Sequence, residues 1–172
     1  LLDYGLTPNV IYLYRFTLAY LLLLIISNFK VSILPLKDEI TAACCGLFGG
    51  TIYFIAENTA LKLTLVSNVA FVVNTAPLLT ALLIFTFHKE EKLSRNMIIG
   101  SLIALCGSSL IIFQKGFSLG NGVLGSILAL TAALSWAIYS LLLKKIENKH
   151  QVTELTRKIF FYGIISSFIV TA

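Results

Sequence analysis

The chain has 172 residues, of which 58% are hydrophobic and only 12% charged, with a net charge of +5 and a mean hydropathy of +0.91. A soluble domain carries about twice that fraction of charge, so the composition excludes a soluble domain or soluble enzyme, and the apolar surplus has to face lipid. The basic residues are scattered over separate loops without an aromatic platform, which argues against a nucleic-acid partner.

Taken in chain order, residues 7–27 form the first expected span, with Thr7 as N-cap and Pro8 in the first turn. Its one charge is Arg15, about 12 Å along the axis. An unpaired cation at that depth costs about 3 kcal/mol or more, so Arg15 should reach outward or find a partner, and Glu57 is the candidate for a charge pair. Residues 40–58 form the second span. Projected on a straight helix, Gly46, Gly49, Gly50, Tyr53 and Glu57 share one face, the small residues allowing a neighbouring backbone to come close. Glu57 is then either an interfacial charge or a carboxylate aimed into the bundle.

Residues 63–87 form the third span, uncharged throughout. Thr64, Ser67, Asn68, Asn74 and Thr75 fall within an arc of about 120°. Such an arc either hydrogen-bonds to neighbouring helices or lines a solvated path, and two asparagines in one apolar span favour the second role as much as the first. Residues 96–114 form the fourth span, where Gly100, Ala104 and Gly107 align and imply helix packing. Residues 116–143 form the fifth. Its face of Gly122, Gly125, Ala132, Ala133, Trp136, Tyr139 and Ser140 places an indole about 12 Å from Lys144, deep for an interfacial belt and suited to a cavity wall. Residues 159–172 begin a sixth helix. The chain starts at Leu1 without an initiator Met and stops at Ala172 inside an apolar run, so it reads as an internal fragment.

The loops give the orientation. Ten of the thirteen Lys and Arg residues fall on 28–39, 88–95 and 144–158, against Lys62 and Lys115 on the other side. That asymmetry assigns the three basic loops to the cytoplasm and 58–62 and 115–120 to the outside. Cys44, Cys45 and Cys106 lie within spans and lack metal-ligand spacing, so they are expected to pack as small apolar residues. His88 and His150 sit in basic loops, where solvent exposure is the default. The sequence shows no catalytic triad, zinc motif or nucleotide-binding loop, so no cofactor, metal or built-in ATP motor is expected.

With the spans placed, the sequence resembles the EamA-type transporters of the drug/metabolite transporter superfamily. The Pro8 to Arg15-Phe16 helix looks like that family's second span. Tyr53-Phe54, Glu57-Asn58-Thr59-Ala60-Leu61, Ser67-Asn68 and Pro77 look like its third and fourth spans. Lys89-Glu90-Glu91-Lys92-Leu93 with Gly100 and Gly107 matches the next loop and the fifth span. Gly122 to Ala133 with Trp136-Ala137 resembles the helix that opens the second repeat, and Arg157 to Gly163 the one after it.

The resemblance implies an all-α integral membrane protein of ten helices in two inverted five-helix repeats. This chain would supply five complete spans plus part of a sixth: 1–114 as the first repeat without its first helix, and 115–172 as the start of the second. It further implies a secondary transporter of small metabolites or drug-like solutes in a bacterial cytoplasmic membrane. Tyr53, Glu57, Asn58, Asn68, Asn74, Trp136 and Tyr139 would face the solute, Arg15 would hold a charge pair, and a proton would be a candidate coupling ion. The alternative is an intramembrane enzyme or a non-transporting membrane scaffold.

Overall fold

A computed structural model of the chain describes residues 8–27, 33–87, 95–115 and 122–171. Among them every regular element is helical: α1 (Pro8–Ile26), α2 (Leu36–Gly46), a π-helical turn (Leu47–Ile52), α3 (Tyr53–Leu63), α4 (Val66–Val73), α5 (Ala76–Phe87), α6 (Arg95–Lys115), α7 (Val123–Lys144) and α8 (Val152–Thr171). A helix satisfies its backbone polar groups within one segment, which is what a lipid environment demands. The stretches Leu36–Leu63, Val66–Phe87 and Val123–Lys144 are long and apolar enough to cross a bilayer. Shorter apolar stretches lie in α1 (Val10–Ile26) and α6 (Ile98–Gly107). The expected N-cap Thr7, the Lys89-to-Leu93 motif, His88, and the loop residues 28–32, 88–94 and 116–120 lie outside the described residues.

The chain divides into two compact units. The first joins the residues up to Ile55 with those from Leu142 onward, and is built by α1, α2, the π-turn and α8. On α8, Leu155, Ile159, Gly163 and Ser167 recur every fourth position and are all buried, giving one inward stripe. A methyl group at Gly46 would lie 2.6 Å from the Ile159 carbonyl oxygen and 2.7 Å from the Gly163 nitrogen, so α2 and α8 cross at backbone contact. The Thr51 hydroxyl donates to the Gly163 carbonyl at 3.0 Å and stands 2.6 Å from the Ser166 hydroxyl. Tyr12, only 1% exposed, reaches this crossing from α1, and its ring stacks with Phe16 at 4.1 Å between centroids.

The second unit spans Ala56–Leu141. Ala60, Val69 and Ala129 form its buried centre, with Leu61, Val72, Val73 and Leu128 packed around them. Gly122 has φ +103°, and a methyl group there would lie 2.5 Å from the Leu63 carbonyl oxygen. Only glycine combines that backbone with that approach. Helix α6 packs against α4 and α5.

Several expected boundaries move. Residues 58–62, expected as an outer loop, are the last turns of α3, and the chain bends only at Thr64 and Leu65. A lysine at a helix C-terminus is favoured by the helix dipole, so Lys62 extends α3 instead of ending it. The 63–87 span is interrupted at Asn74 and Thr75. Pro77 explains the break: a proline ring clashes with the carbonyl four residues back, which is Val73, the last residue of α4. At the break the Val72 carbonyl accepts from both the Thr75 N–H at 3.0 Å and the Thr75 hydroxyl at 2.6 Å. Helix α8 begins at Val152, seven positions before the apolar run, because its charged first turns are helical too. The α6 stripe, expected to pack, meets no partner among the described residues: a methyl group at Gly100 or Gly107 would find nothing within 4 Å. Small residues permit close approach but do not compel it.

Candidate functional site

The residues singled out from sequence divide between the units. In the first, Tyr53 stands edge-on to Phe54, with centroids 5.0 Å apart. Phe54 in turn carries the Arg15 guanidinium over its ring, 5.4 Å from the centroid. Arg15 is exposed on α1, so a cation–π contact on an aromatic face is the interaction seen at this position.

In the second unit, Glu57 and Asn58 are half-buried on α3. Asn68 is 4% exposed and donates through Nδ2 to the Thr64 hydroxyl at 3.2 Å, joining α4 to the turn before it. Asn74 is the exposed C-cap of α4, its N–H donating to the Ala70 carbonyl at 3.0 Å, while Asn68 is buried. Trp136 is 38% exposed, and its ring pairs with Tyr139 at 5.1 Å. The fully buried face of α7 belongs to smaller residues: Gly125, Ala129, Ala132, Ala133, Ser135 and Ala137.

One assembly was not evident from the sequence. In the first unit, the acidic first turn of α2, just before the apolar run that begins at Ile40, meets Lys149 and His150 in the turn before α8 and Lys158 within it. Asp38 Oδ2 lies 2.9 Å from His150 Nε2, and Oδ1 lies 3.4 Å from Lys149 Nζ. Lys158 Nζ bridges both Glu39 oxygens at 2.6 and 2.7 Å, the Tyr162 hydroxyl donates to Oε1, and the Leu34 N–H donates to Oε2 at 3.3 Å. The hydrogen bond with His150, helped by Lys149 and opposed by burial, holds the Asp38 carboxyl below the usual carboxylate range. Burial alone would raise Glu39, but the Lys158 and Tyr162 donors and the Lys158 charge outweigh it and hold that carboxyl low as well. His150, expected in solvent, is therefore largely enclosed and tied to Asp38. The available signal was the Asp38-Glu39 pair itself, two acids at the mouth of a span on the side that carries most of the base. These contacts also bring the ends of the 28–39 and 144–158 loops together, as a shared side of the membrane requires. Among the described residues Cys44, Cys45 and Cys106 form no disulfide; Cys45 is buried and Cys106 exposed.

The comparison with known proteins agrees with the helical architecture. Over 136 residues the chain is 32% identical to a protein of Bacillus subtilis (strain 168) described as the uncharacterized transporter YdfC. The aligned part is 78% of this chain and 44% of that relative, so the chain spans under half the length of the curated relative it matches. Residues 2–113 match the EamA-like transporter family. That family is one of membrane transporters and not of enzymes, and its match covers well over half the sequence; the chain belongs to the EamA-like transporter family.

Proposed function

We propose that the protein is a secondary transporter that moves small metabolites or drug-like solutes across the bilayer by alternating access. The observation that carries this is the family match over residues 2–113, joined to helices of membrane-spanning length. In this reading the chain contributes five complete spans and part of a sixth to a ten-helix fold of two inverted repeats, with the repeat boundary near 114–115. Substrate sites in such folds lie near the bilayer midplane at the repeat interface. Tyr53, Glu57, Asn58, Asn68, Asn74, Trp136 and Tyr139 supply aromatic, amide and carboxylate groups that suit an amphipathic solute such as an amino acid or base. Export is the proposed direction, a proton at Glu57 the proposed coupling ion, and the bacterial cytoplasmic membrane the proposed site. The Bacillus relative supports that location.

Glu57→Gln in the complete protein tests the site. It keeps the side-chain shape and some hydrogen bonding while removing the charge. A transport role for Glu57 predicts unchanged thermal stability with solute flux lost, or flux no longer sensitive to the pH gradient. A fall in stability matched by Arg15→Gln would make Glu57 a structural clamp. Unchanged stability and unchanged flux would remove it from the site.

A further inference from the structure

Where α1 ends and α2 and α8 begin, Tyr20, Glu39, Arg157, Lys158 and Phe161 line a cleft of about 230 Å³. Its least ordinary member is Arg157, a cation only 3% exposed. Arg157 Nη1 donates to the Ser27 hydroxyl at 2.6 Å, and that hydroxyl donates in turn to the Leu24 carbonyl at 3.0 Å. This contact ties the guanidinium to the C-terminal end of α1 but uses one of its five N–H donors.

The neighbouring carboxylates are already committed. Both oxygens of Glu39 are held by Lys158, with Tyr162 and the Leu34 N–H adding to them, and Asp38 faces Lys149 and His150. Among the described residues, then, the Arg157 charge has no carboxylate partner. A buried ion without a counter-charge is strongly unfavourable, and a planar guanidinium fork matches the oxygens of a phosphate or carboxylate. The size of the cleft points the same way. Pockets for drug-sized molecules run from about 300 to 1,000 Å³, so this one suits a single head group and not a bulky solute.

Its position narrows the ligand. Arg157 lies five residues into α8, about 8 Å along the axis, and Tyr20 lies about 9 Å before the end of α1. With the basic loops on the cytoplasmic side, that depth is the boundary between head groups and hydrocarbon, where anionic lipids present their phosphodiesters. We propose that the Arg157–Lys158 cleft is an oxyanion site that binds a phosphoryl group, with Arg157 supplying the fork, Lys158 a second cation shared with Glu39, and Tyr20 and Phe161 the walls. None of these residues is among those assigned to solute transport.

The source of the phosphoryl group, a lipid head group or free phosphate, is separated by the choice of probe. The complete protein in detergent is titrated with dihexanoyl phosphatidylglycerol and, independently, with inorganic phosphate, following binding and thermal stability. The expected result is saturable binding of about one anion per chain, weakened at least tenfold by Arg157→Gln and unchanged by Lys37→Gln, an exposed basic residue outside the cleft. Binding of the lipid alone identifies a head-group site; binding of inorganic phosphate, with or without the lipid, identifies a site open to soluble phosphates. Saturable binding by neither probe overturns the proposal, as does binding that Arg157→Gln leaves intact or that Lys37→Gln weakens equally. Should Arg157→Gln not fold, Arg157→Lys keeps the charge at the α1 end but loses the fork, and the same tenfold criterion applies to it.

Discussion

Single residues here are governed by how each charge is matched. Asp38 and Glu39 have carboxyls held low in the folded chain, so the folded state binds fewer protons than the unfolded one. Their contribution to stability is complete above about pH 4, where unfolded carboxylates ionise, and is lost as pH falls through the folded values. Thermal melts should therefore show Glu39→Gln less stable than wild type at pH 7, by about 2 kcal/mol for a charge-assisted pair, with the two curves converging below about pH 4. A difference that persists unchanged in acid would assign the loss to packing instead of charge. None of these pairs was legible locally: Asp38 and His150 stand 112 positions apart, and Glu39 and Lys158 stand 119 apart. What the sequence does show is that charges within an apolar chain are few and need explaining, which is how Arg15 and Glu57 came forward. The aromatic face beneath Arg15 was not among the partners it suggested, because a cation–π contact leaves no charge signature in the chain.

At the scale of elements, apolar run length located the helices well, and helical projection located their faces where the backbone stays regular, as for the buried Gly125, Ala132 and Ala133 of α7. The spans expected at 7–27 and 96–114 fall within one residue of α1 and α6 at each end. The faces fail where the backbone departs from a regular α-helix. A π-turn at Leu47–Ile52 bonds each residue one position further along, rotating the residues after it by up to about 100° relative to a straight projection. Gly46, Gly49 and Gly50 are buried while Tyr53 and Glu57, projected onto the same face, are half-buried. The glycines make a paired prediction. Gly46→Ala forces α2 from α8 and should cost about 1–3 kcal/mol. Gly100→Ala, with open space around it, should be neutral or gain about 0.5–1 kcal/mol from reduced chain entropy. Thermal melts of both variants check this, and equal destabilisation would mean that the α6 stripe packs after all.

For the whole molecule, composition places the chain in a bilayer and the family match places it among the EamA-like transporters, and each contributes what the other lacks. Apolar content and the positive-inside asymmetry place a helical chain in a bilayer but name no activity. Membership of the EamA-like transporter family supports the proposed activity class and leaves the solute open. The Asp38–His150 and Glu39–Lys158 contacts tie two loops assigned to the cytoplasmic side to each other, which a reversed placement of either loop would forbid. The central claim, transport by alternating access, is tested most directly by counterflow. The complete protein is reconstituted into liposomes preloaded with a mixture of unlabelled amino acids and nucleobases, and uptake of each labelled solute is measured without nucleotide. Alternating access predicts transient, saturable accumulation of a labelled solute above its external concentration, abolished when the lumen is empty of that solute and no ion gradient is imposed. Flux that rises linearly with concentration and ignores the luminal solute would describe a pore and contradict it.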